Sequence, residues 1–432
     1  MPKDLTTATK IYQRIAARPN IISGQILQKN PLLVSATWKT QDYHENSSTS
    51  YTKIYTQNEN KSSFTTLSKT ICEPTFSSMS PSRNLSCRIR KLKSDEKPTK
   101  PDHIIEIWDE SSQSRIVYHK IDKKSSGCES PTTNDTFGSI TWNKSENKVA
   151  FICEPYEEPS KSFFSASNSD SVPPGGKHFF NEDFHEQLYS TKKPTLAVFD
   201  IAQETLTTYT FEKCVRRPLF LQEDILLIAE ENFPYKLGRI YCDNKPTQVV
   251  RFNERSGFCK FLNEKSSITE LFSRPGHDNE FFYFERRTGL GPHYDVSRLC
   301  KWEDGSTSVV IDYVEKANDD FNGFYVETTS TPDGRRFLTD SEMIVESFHG
   351  SKMLLFKVNV DEKTVESLET SLPKQKILDL TDEMILLAHS SPKQPDSLAI
   401  YDLASGKILN IEQQQVLKIN YQIEKFSTDG VE

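Results

Sequence analysis

The sequence has no apolar run that approaches the roughly 18 residues needed to span a bilayer. Its first residues, MPKDLTTATK, are polar and lack the apolar segment of a secretory signal peptide. None of its 8 cysteines forms a C-x-x-C pair, and no cysteine and histidine cluster has the spacing of a zinc site. We therefore expect a cytosolic (cytoplasmic) protein with free thiols, without metal, cofactor or membrane contact.

Sequence motifs of catalysis are also missing. The nucleophile elbow of α/β-hydrolases, G-x-S-x-G, needs two glycines about four residues apart. None of the 16 glycines has that spacing. An HGGG-like oxyanion loop, a P-loop, G-x-G-x-x-G, H-E-x-x-H and an EF-hand loop are absent as well. We assign no catalytic, cofactor-binding or metal-binding residue, and we predict that this chain alone is inactive as a hydrolase.

A few acidic residues are the nearest approach to an active-site pattern. Glu157–Glu158 and Asp319–Asp320 are paired carboxylates, which on loops are usually solvated. Glu182–Asp183 lies beside His185, a residue type that titrates near neutral pH. No nucleophile, base and oxyanion donor can be assembled around these groups, so we expect them to be surface residues.

The net charge of −8 excludes a broad nucleic-acid interface. Phosphate binding needs a concentrated basic face, and here the basic residues are spread along the chain. The densest basic run, at 83–100, is typical of a solvated hairpin. We expect no nucleic-acid partner.

Aliphatic residues are scarce and aromatic residues are common. The hydrophobic fraction is 35%, yet there are 26 Phe and 16 Tyr. Flat, wide side chains can fill many small cores. This composition favours a modular β architecture over one large aliphatic core.

One helix is predicted, over residues 6–18 (TTATKIYQRIAAR). Ile11, Tyr12 and Ile15 form its apolar stripe, and Pro19 ends it at Arg18. This stripe packs either on the main domain or on something outside the chain. We take residues 1–22 as an N-terminal helical extension and 23–432 as the main domain.

Beyond this helix, a hairpin of two short β runs around a polar turn recurs. Asn, Asp, Gly and Ser at the tips suit tight turns. Seven copies are present, at 51–67, 104–117, 195–209, 239–252, 298–311, 353–368 and 397–411.

A second turn and a further strand precede several hairpins, so that each unit has four strands. These turns are MSPSRN (79–84), WNKSEN (142–147), RPGHDN (274–279) and TPDGRR (331–336). Repeated four-stranded units indicate propeller blades, whose radial packing covers both faces of each sheet. The sequence thus predicts an all-β, seven-bladed β-propeller with a short N-terminal helix. The competing architecture is two β-sandwiches in tandem.

The interval 155–193 is too long for a simple blade connection. It is rich in Ser, Asn, Pro and Gly, so we expect it to be partly mobile. Its aromatic residues, Phe163, Phe164, Phe179, Phe180 and Phe184, can anchor it to a surface. The segment is either a tolerated blade insertion or a lid near a substrate entrance.

Several segments resemble the N-terminal propeller of acylaminoacyl-peptidases, members of the prolyl oligopeptidase family. KIYQRIAARP (10–19) is similar to their opening helix, and FGSITWNKSENKVAFICE (137–154) to one of their blades. SFF (162–164) with FFNEDFHEQL (179–188) resembles their aromatic and acidic insertion. FPYKLGRIYCDNKP (233–246) and DDFNGFYVE (319–327) are also similar in kind. The resemblance covers residues 10–370 and is weakest in the last blade.

The resemblance implies a role and a partner. In that family, a C-terminal α/β-hydrolase domain carries the Ser-Asp-His triad and releases N-acylated amino acids from blocked peptides. The propeller gates access of short N-acylated peptides. This chain ends about where that domain would begin, so we expect the hydrolase domain to be absent from it. A surface made for that domain would favour a partner or a homo-oligomer.

Two other functions remain open. The chain is either this gating half or an independent interaction propeller that binds a protein or peptide through its loops. A weaker alternative is an enzyme with an unfamiliar site in the central channel, which requires convergent titratable groups at the channel mouth.

Overall fold

The computed structural model shows a chain built almost entirely of antiparallel β-sheets. It describes residues 9–10, 12–13, 15–42, 45–58, 63–72, 76–92, 103–134, 136–158, 160, 162–164, 175–178, 184, 188, 191–230, 240, 242–288, 291, 293, 295–316, 321–326, 335–368, 370, 372 and 374–416.

The strands of the first three sheets follow one another in sequence. Sheet 1 contains β1 (Asn20–Lys29), β2 (Leu32–Asp42), β3 (Ser47–Gln57) and β4 (Phe64–Cys72). Sheet 2 contains β5 (Phe76–Met79), β6 (Leu85–Lys91), β7 (His103–Asp109) and β8 (Ser114–Lys120). Sheet 3 contains β9 (Cys128–Pro131), β10 (Ile140–Trp142), β11 (Lys148–Pro155), β12 (Thr195–Asp200) and β13 (Thr205–Tyr209), with β9 paired to β11.

The next sheets repeat this meander. Sheet 4 contains β14 (Cys214–Leu221), β15 (Asp224–Glu230), β16 (Thr247–Phe252) and β17 (Cys259–Phe261). Sheet 5 contains β18 (Ser267–Phe272), β19 (Glu280–Arg286), β20 (Ser297–Glu303) and β21 (Ser306–Ile311). Sheet 6 contains β22 (Glu342–His349), β23 (Lys352–Asn359), β24 (Thr364–Ser367), β25 (Lys374–Leu380), β26 (Met384–Ser390), β27 (Ser397–Asp402) and β28 (Lys407–Glu412).

Sheet 6 has seven strands but consists of two antiparallel sets, β22–β24 and β25–β28. A single parallel pair, Met353 with Lys374, joins β23 to β25. The expected all-β chain of repeated four-stranded units is confirmed. The number of seven blades stays a prediction because hydrogen bonding runs continuously through sheet 6.

Within the described ranges, helical structure is confined to short segments. Residues 9–10, 12–13 and 15–16 are helical, and the Ala17 amide donates to the Gln13 carbonyl at 3.0 Å. The predicted N-terminal helix is therefore present, with residues 1–8, 11 and 14 outside the described part. Strand β1 begins at Asn20, just before the predicted domain boundary. A four-residue helix, α1 (Lys123–Ser126), is capped by Asp122, and a 3₁₀ turn spans Gly176–His178.

The chain divides into two compact units. One comprises Met1–Pro74, Ser341–Asn359 and Val365–Glu432, and the other Thr75–Asp340 and Val360–Thr364. The first unit thus holds sheet 1 and most of sheet 6. The second, here called the four-sheet unit, holds sheets 2–5.

Sheet 1 and β25–β28 pack on each other within the first unit. Their shared core contains Trp38, Tyr55 and Leu386. Lys53 donates to both carboxylate oxygens of Glu412 at 2.6 and 2.8 Å, and the Tyr55 hydroxyl donates to Glu412 at 2.5 Å. The early strand β3 is thus joined to the late strand β28 by side chains.

Separate hydrophobic cores lie between consecutive sheets of the four-sheet unit. One core joins sheets 2 and 3, a second joins sheets 3 and 4, and a third joins sheets 4 and 5. Sheets 3 and 4 are therefore covered on both faces. In a β-sandwich each sheet has one packed face, so this arrangement contradicts the alternative of tandem sandwiches for sheets 2–5.

Six of the seven predicted hairpins coincide with paired strands, and the fourth is wrong. Among the described residues of the expected hairpin at 239–252, β16 is the one strand, and it pairs with β17. The turn that forms is 253–257, where Asn253 Oδ1 accepts from the Ser256 amide at 3.0 Å and Gly257 has a φ of +69°. This Asx turn ending in glycine outweighs the weaker turn signal DNKP at 243–246.

Candidate functional site

A cavity of about 350 Å³ lies in the four-sheet unit, where the first strands of its sheets come together. Its walls come from the ends of β5, β10, β14 and β18 and from the turns that follow them. Each of these strands begins the meander of its own sheet. The volume is at the lower end of the range for small-molecule sites.

Two of the wall strands carry bulges that change the direction of their side chains. The β14–β15 register shifts between Arg216 and Leu219, and the β18–β19 register shifts between Ile268 and Glu270. Arg217 has a φ of +54°. A bulge bends its strand and redirects the side chains beside it, and Arg217 and Glu270 both line the cavity.

Much of the wall is apolar. It includes Met79, Ile140, Trp142, Phe220 and Leu271. The Trp142 indole N–H donates to the Ser78 carbonyl at 3.3 Å, which satisfies its polar atom and holds the ring in place. The cavity can therefore take an apolar group against these side chains.

A buried ion pair supports the wall at the end of β18. Arg274 binds the two carboxylate oxygens of Glu280 through Nε and Nη2, and both side chains are at most 7% exposed. Arg274 Nη1 also donates to Asp361 at 3.0 Å and to the Asp340 carbonyl at 3.0 Å. Burial raises the pKa of the Glu280 carboxyl, but the bonds and charge of Arg274 outweigh it and hold that pKa below its usual value.

A second buried pair joins Glu270 to Arg336. Arg336 Nη2 and Nε donate to Glu270 Oε2 at 2.5 and 3.1 Å, and the side chains are 4% and 2% exposed. The guanidinium also lies 5.7 Å from the ring centre of Phe272 and 5.5 Å from that of Phe284. Cation–π attraction and the ion pair together hold Arg336 behind the cavity wall.

Contacts between turns surround the cavity mouth. Lys144 Nζ lies 2.7 Å from Asp278 Oδ2, which joins a turn of sheet 3 to a turn of sheet 5. Gln222 donates to the Asn279 side chain at 2.6 Å. Lys144 and Asp278 are 69% and 45% exposed, so this pair is hydrated and weak.

The acidic residues singled out from the sequence lie elsewhere. Glu157 and Glu158 are exposed and face Lys192 and Lys124 at 3.1 and 3.5 Å, as expected of surface residues. Asp319–Asp320, Glu182–Asp183 and His185 lie outside the described residues. Sequence reasoning named none of the cavity residues as a site.

The long interval 155–193 contributes one clear anchor. Phe184 is 2% exposed and packs on Phe137 with ring centres 4.9 Å apart. Phe163 and Phe164 are 58% and 97% exposed. Phe179 and Phe180 lie outside the described residues. The predicted anchoring is thus confirmed for Phe184, and the choice between insertion and lid stays open.

The four turn motifs that precede the hairpins in the sequence are the feature from which the cavity could have been located. All four turn motifs supply lining residues: Pro81 from 79–84, Lys144 from 142–147, Arg274 to Asp278 from 274–279, and Arg335 from 331–336. Residues 331–334 of the fourth motif lie outside the described part.

Among the helices that the structure describes, none has the length and apolarity needed to cross a membrane. In the same part of the chain, no group of three His, Cys, Asp or Glu side chains has an arrangement that could hold a metal ion.

Comparison with known sequences points to one kind of enzyme. No protein-family model matches the chain. The human acylamino-acid-releasing enzyme is 23% identical over 369 residues, which cover 79% of this chain and 49% of the human protein. The rat enzyme of the same name is 25% identical over 292 residues, covering 62% of this chain and 40% of the rat protein. The chain thus matches less than half of the length of these relatives.

Comparison with solved structures supports the predicted fold. The β-propeller domain of the trilobed protease from Pyrococcus furiosus superimposes with a TM-score of 0.57 at 12% identity, over 94% of this chain and 99% of that domain. The acylaminoacyl peptidase of Pyrococcus horikoshii gives 0.56 at 13% identity, over 93% of this chain and 53% of that protein. The propeller fold is confirmed, and with the sequence similarity it follows that this chain is a relative of the β-propeller part of acylaminoacyl-peptidases.

Proposed function

We propose that the chain is the non-catalytic, substrate-gating propeller part of an acylaminoacyl-peptidase, a serine peptidase that releases N-acyl amino acids from blocked peptides. The main support for this proposal is the match over 369 residues to a human acylamino-acid-releasing enzyme, together with the absence of G-x-S-x-G from the present chain. Similarity to the propeller part, together with a missing nucleophile elbow, favours a domain that serves a hydrolase over one that hydrolyses.

Gating has a simple physical basis in this proposal. Propeller blades surround a central channel, and the cavity lies against the first strands of four consecutive sheets. A passage with walls of this kind admits extended short peptides and excludes folded chains. The α/β-hydrolase domain would be the partner, and short N-acylated peptides the molecules admitted. Seven cysteines in the described part of the chain are free thiols. Cytosolic proteins rarely contain disulfides, so these thiols support a cytoplasmic location.

The first test measures catalysis by the 432-residue chain alone. We expect no hydrolysis of an acetyl-alanine reporter above background, with a full-length acylamino-acid-releasing enzyme as the positive control. A rate that persists through purification and is abolished by a serine-directed phosphonate would contradict the non-catalytic role.

The second test looks for the hydrolase. The tagged chain is captured from its source cells, and the eluate is treated with a fluorescent phosphonate that labels active serine hydrolases. We expect one labelled protein whose sequence contains G-x-S-x-G, or an in-frame continuation of the transcript that encodes it. Two results together would support an independent interaction propeller instead. They are the capture of other proteins without any labelled hydrolase, and a transcript whose reading frame stops after Glu432. Light scattering on the same sample measures self-association.

A further inference from the structure

We propose that the cavity of the four-sheet unit binds a small carboxylate with an apolar body, such as an N-blocked amino acid or the free C-terminal end of a short peptide. The propeller would hold this ligand by itself, without a hydrolase domain. This binding site goes beyond gating, and binding can be measured whether or not gating is correct.

The charge of the wall favours an anion. Four cationic side chains and two carboxylates line the cavity. Glu270 pairs with Arg336 behind the wall, and Asp278 pairs with Lys144 in the lining itself. The cationic groups of the lining therefore outnumber its carboxylates, although the chain as a whole carries a net charge of −8. An excess of one sign of charge in a cleft concentrates ligands of the opposite sign.

Arg217 and Arg335 are the groups that we assign to the carboxylate. Arg274 is saturated by Glu280 and Asp361. A guanidinium has five N–H donors in a planar fork that matches a carboxylate. Arg217 and Arg335 can therefore serve a ligand in addition to their contacts within the protein.

The backbone of Arg217 supports this assignment. Nine residues other than glycine have positive φ in the part of the chain that is described, and eight of them lie in turns between strands. Arg217, at +54°, lies inside β14. Such a conformation is unfavourable for a long side chain and persists only where the surroundings impose it, often at ligand sites. Here it belongs to the bulge in the cavity wall.

The apolar part of the wall would receive the body of the ligand. Trp142, Ile140 and Leu271 line the cavity together with the two arginines. A pocket that is mostly apolar with a few polar groups fixes the orientation of a small ligand through the polar groups and gains affinity from the apolar surface. The volume of about 350 Å³ restricts the ligand to about the size of one or two amino acids.

The test uses the full chain and two probes that differ in one group. N-acetyl-phenylalanine carries a carboxylate, and N-acetyl-phenylalaninamide is its neutral counterpart. We expect the acid to bind in calorimetry and to change the tryptophan fluorescence, and the amide to bind at least tenfold more weakly. Raising the salt concentration should weaken the acid more than the amide.

Variants locate the site. Arg217→Asn removes the guanidinium but keeps a residue that tolerates positive φ, and Arg335→Gln is a second, independent removal. Each should weaken the acid about tenfold and leave the amide unchanged. Arg255→Gln is the matched control, because Arg255 is 76% exposed on a turn of sheet 4. Trp142→Phe should keep the calorimetric binding and remove the fluorescence change.

Four outcomes would overturn the proposal. They are no binding of the acid at millimolar concentration, equal binding of acid and amide, equal weakening by Arg255→Gln, and a fluorescence change that persists in Trp142→Phe. Each of these leaves the gating role untouched, since gating requires passage and not binding.

Discussion

Two regions of the four-sheet unit bury their side chains in opposite ways. Between sheets 2 and 3, fifteen residues form an apolar core in which only Trp142, Phe151 and Phe199 are aromatic. At sheet 5, beside the cavity, two arginine–glutamate pairs are buried among phenylalanines. Apolar packing depends on volume and tolerates many partners. A buried ion pair depends on its one partner, because the partner compensates for the lost hydration of both charges.

Both regions reach the cavity. Ile140 and Trp142 of the apolar core line it from sheet 3, and Glu270 and Arg274 of the buried pairs line it from sheet 5. Arg274 and Glu270 are both lining residues whose positions depend on a partner outside the lining. The hydrophobic cores therefore hold the sheets together, and the buried pairs hold the wall of the site.

The largest expected effect tests the apolar region. Phe151 is fully buried in β11, so Phe151→Ala should lower the free energy of unfolding by about 4 kcal/mol through lost burial and a cavity. Urea denaturation followed by circular dichroism measures it. Phe164→Ala is the control, because Phe164 is 97% exposed and should change stability by less than about 0.5 kcal/mol. A loss below about 1 kcal/mol for Phe151→Ala would contradict the assigned core.

A slightly smaller effect tests the buried pairs. Glu280→Gln leaves Arg274 without its main charge partner and should lower the free energy of unfolding by about 3 kcal/mol. The control is Glu223→Gln, which alters an exposed pair with Arg255 on sheet 4. If both variants lower the free energy of unfolding by the same amount, the contrast between the two regions does not hold.

Acid should act on the buried pairs and not on the apolar core. The pKa values of Glu280 and Glu106 are both held low, since arginine contacts outweigh the opposing effect of burial. A carboxyl whose pKa is lower in the folded state stabilises the fold above its unfolded pKa of about 4.3 and loses this contribution as the pH falls further.

The contribution of these two carboxyls to the free energy of unfolding should therefore be nearly constant from pH 7 to 5 and should decrease below about pH 4.5. Denaturation midpoints across this range measure the decrease. Glu280→Gln should show a shallower decrease than the natural protein, whereas Phe151→Ala should show the same slope. Equal slopes for all three proteins would remove Glu280 from the pH dependence.

The smallest expected effect is at the cavity mouth. Lys144→Met breaks an exposed pair with Asp278 and should lower the free energy of unfolding by less than about 1 kcal/mol. The difference from the natural protein should diminish in high salt, because screening already weakens the pair. A loss as large as that of Glu280→Gln would mean that the mouth is as rigid as the buried wall.

The hairpins could be predicted because their signals are local. Asp109 bonds to the amides of Ser111 and Ser112 at 2.8 and 3.1 Å, and Asp402 bonds to the Ser405 amide at 2.8 Å, so each turn is held by its own residues. The fourth hairpin was placed wrongly because two turn signals lay close together, and the register of β16 with β17 decided between them.

The distribution of aromatic residues was harder to predict. The core between sheets 2 and 3 contains three aromatic residues among its fifteen, Trp142, Phe151 and Phe199. Around sheet 5 aromatic residues are denser, and the ring centre of Phe272 lies 5.9 Å from that of Phe282 and 5.6 Å from that of Phe284. Composition counts residues over the whole chain and does not say which sheets receive them.

By itself the amino-acid sequence determined the repeated strands, their turns and the absence of a nucleophile elbow, since each depends on residues a few positions apart. Only the tertiary structure decided that Arg217, Glu270 and Trp142 line one cavity and that Arg274 and Arg336 are buried against Glu280 and Glu270. The cavity joins residues from three sheets, and the energies of the ion pairs depend on burial, which exists only once the sheets have packed.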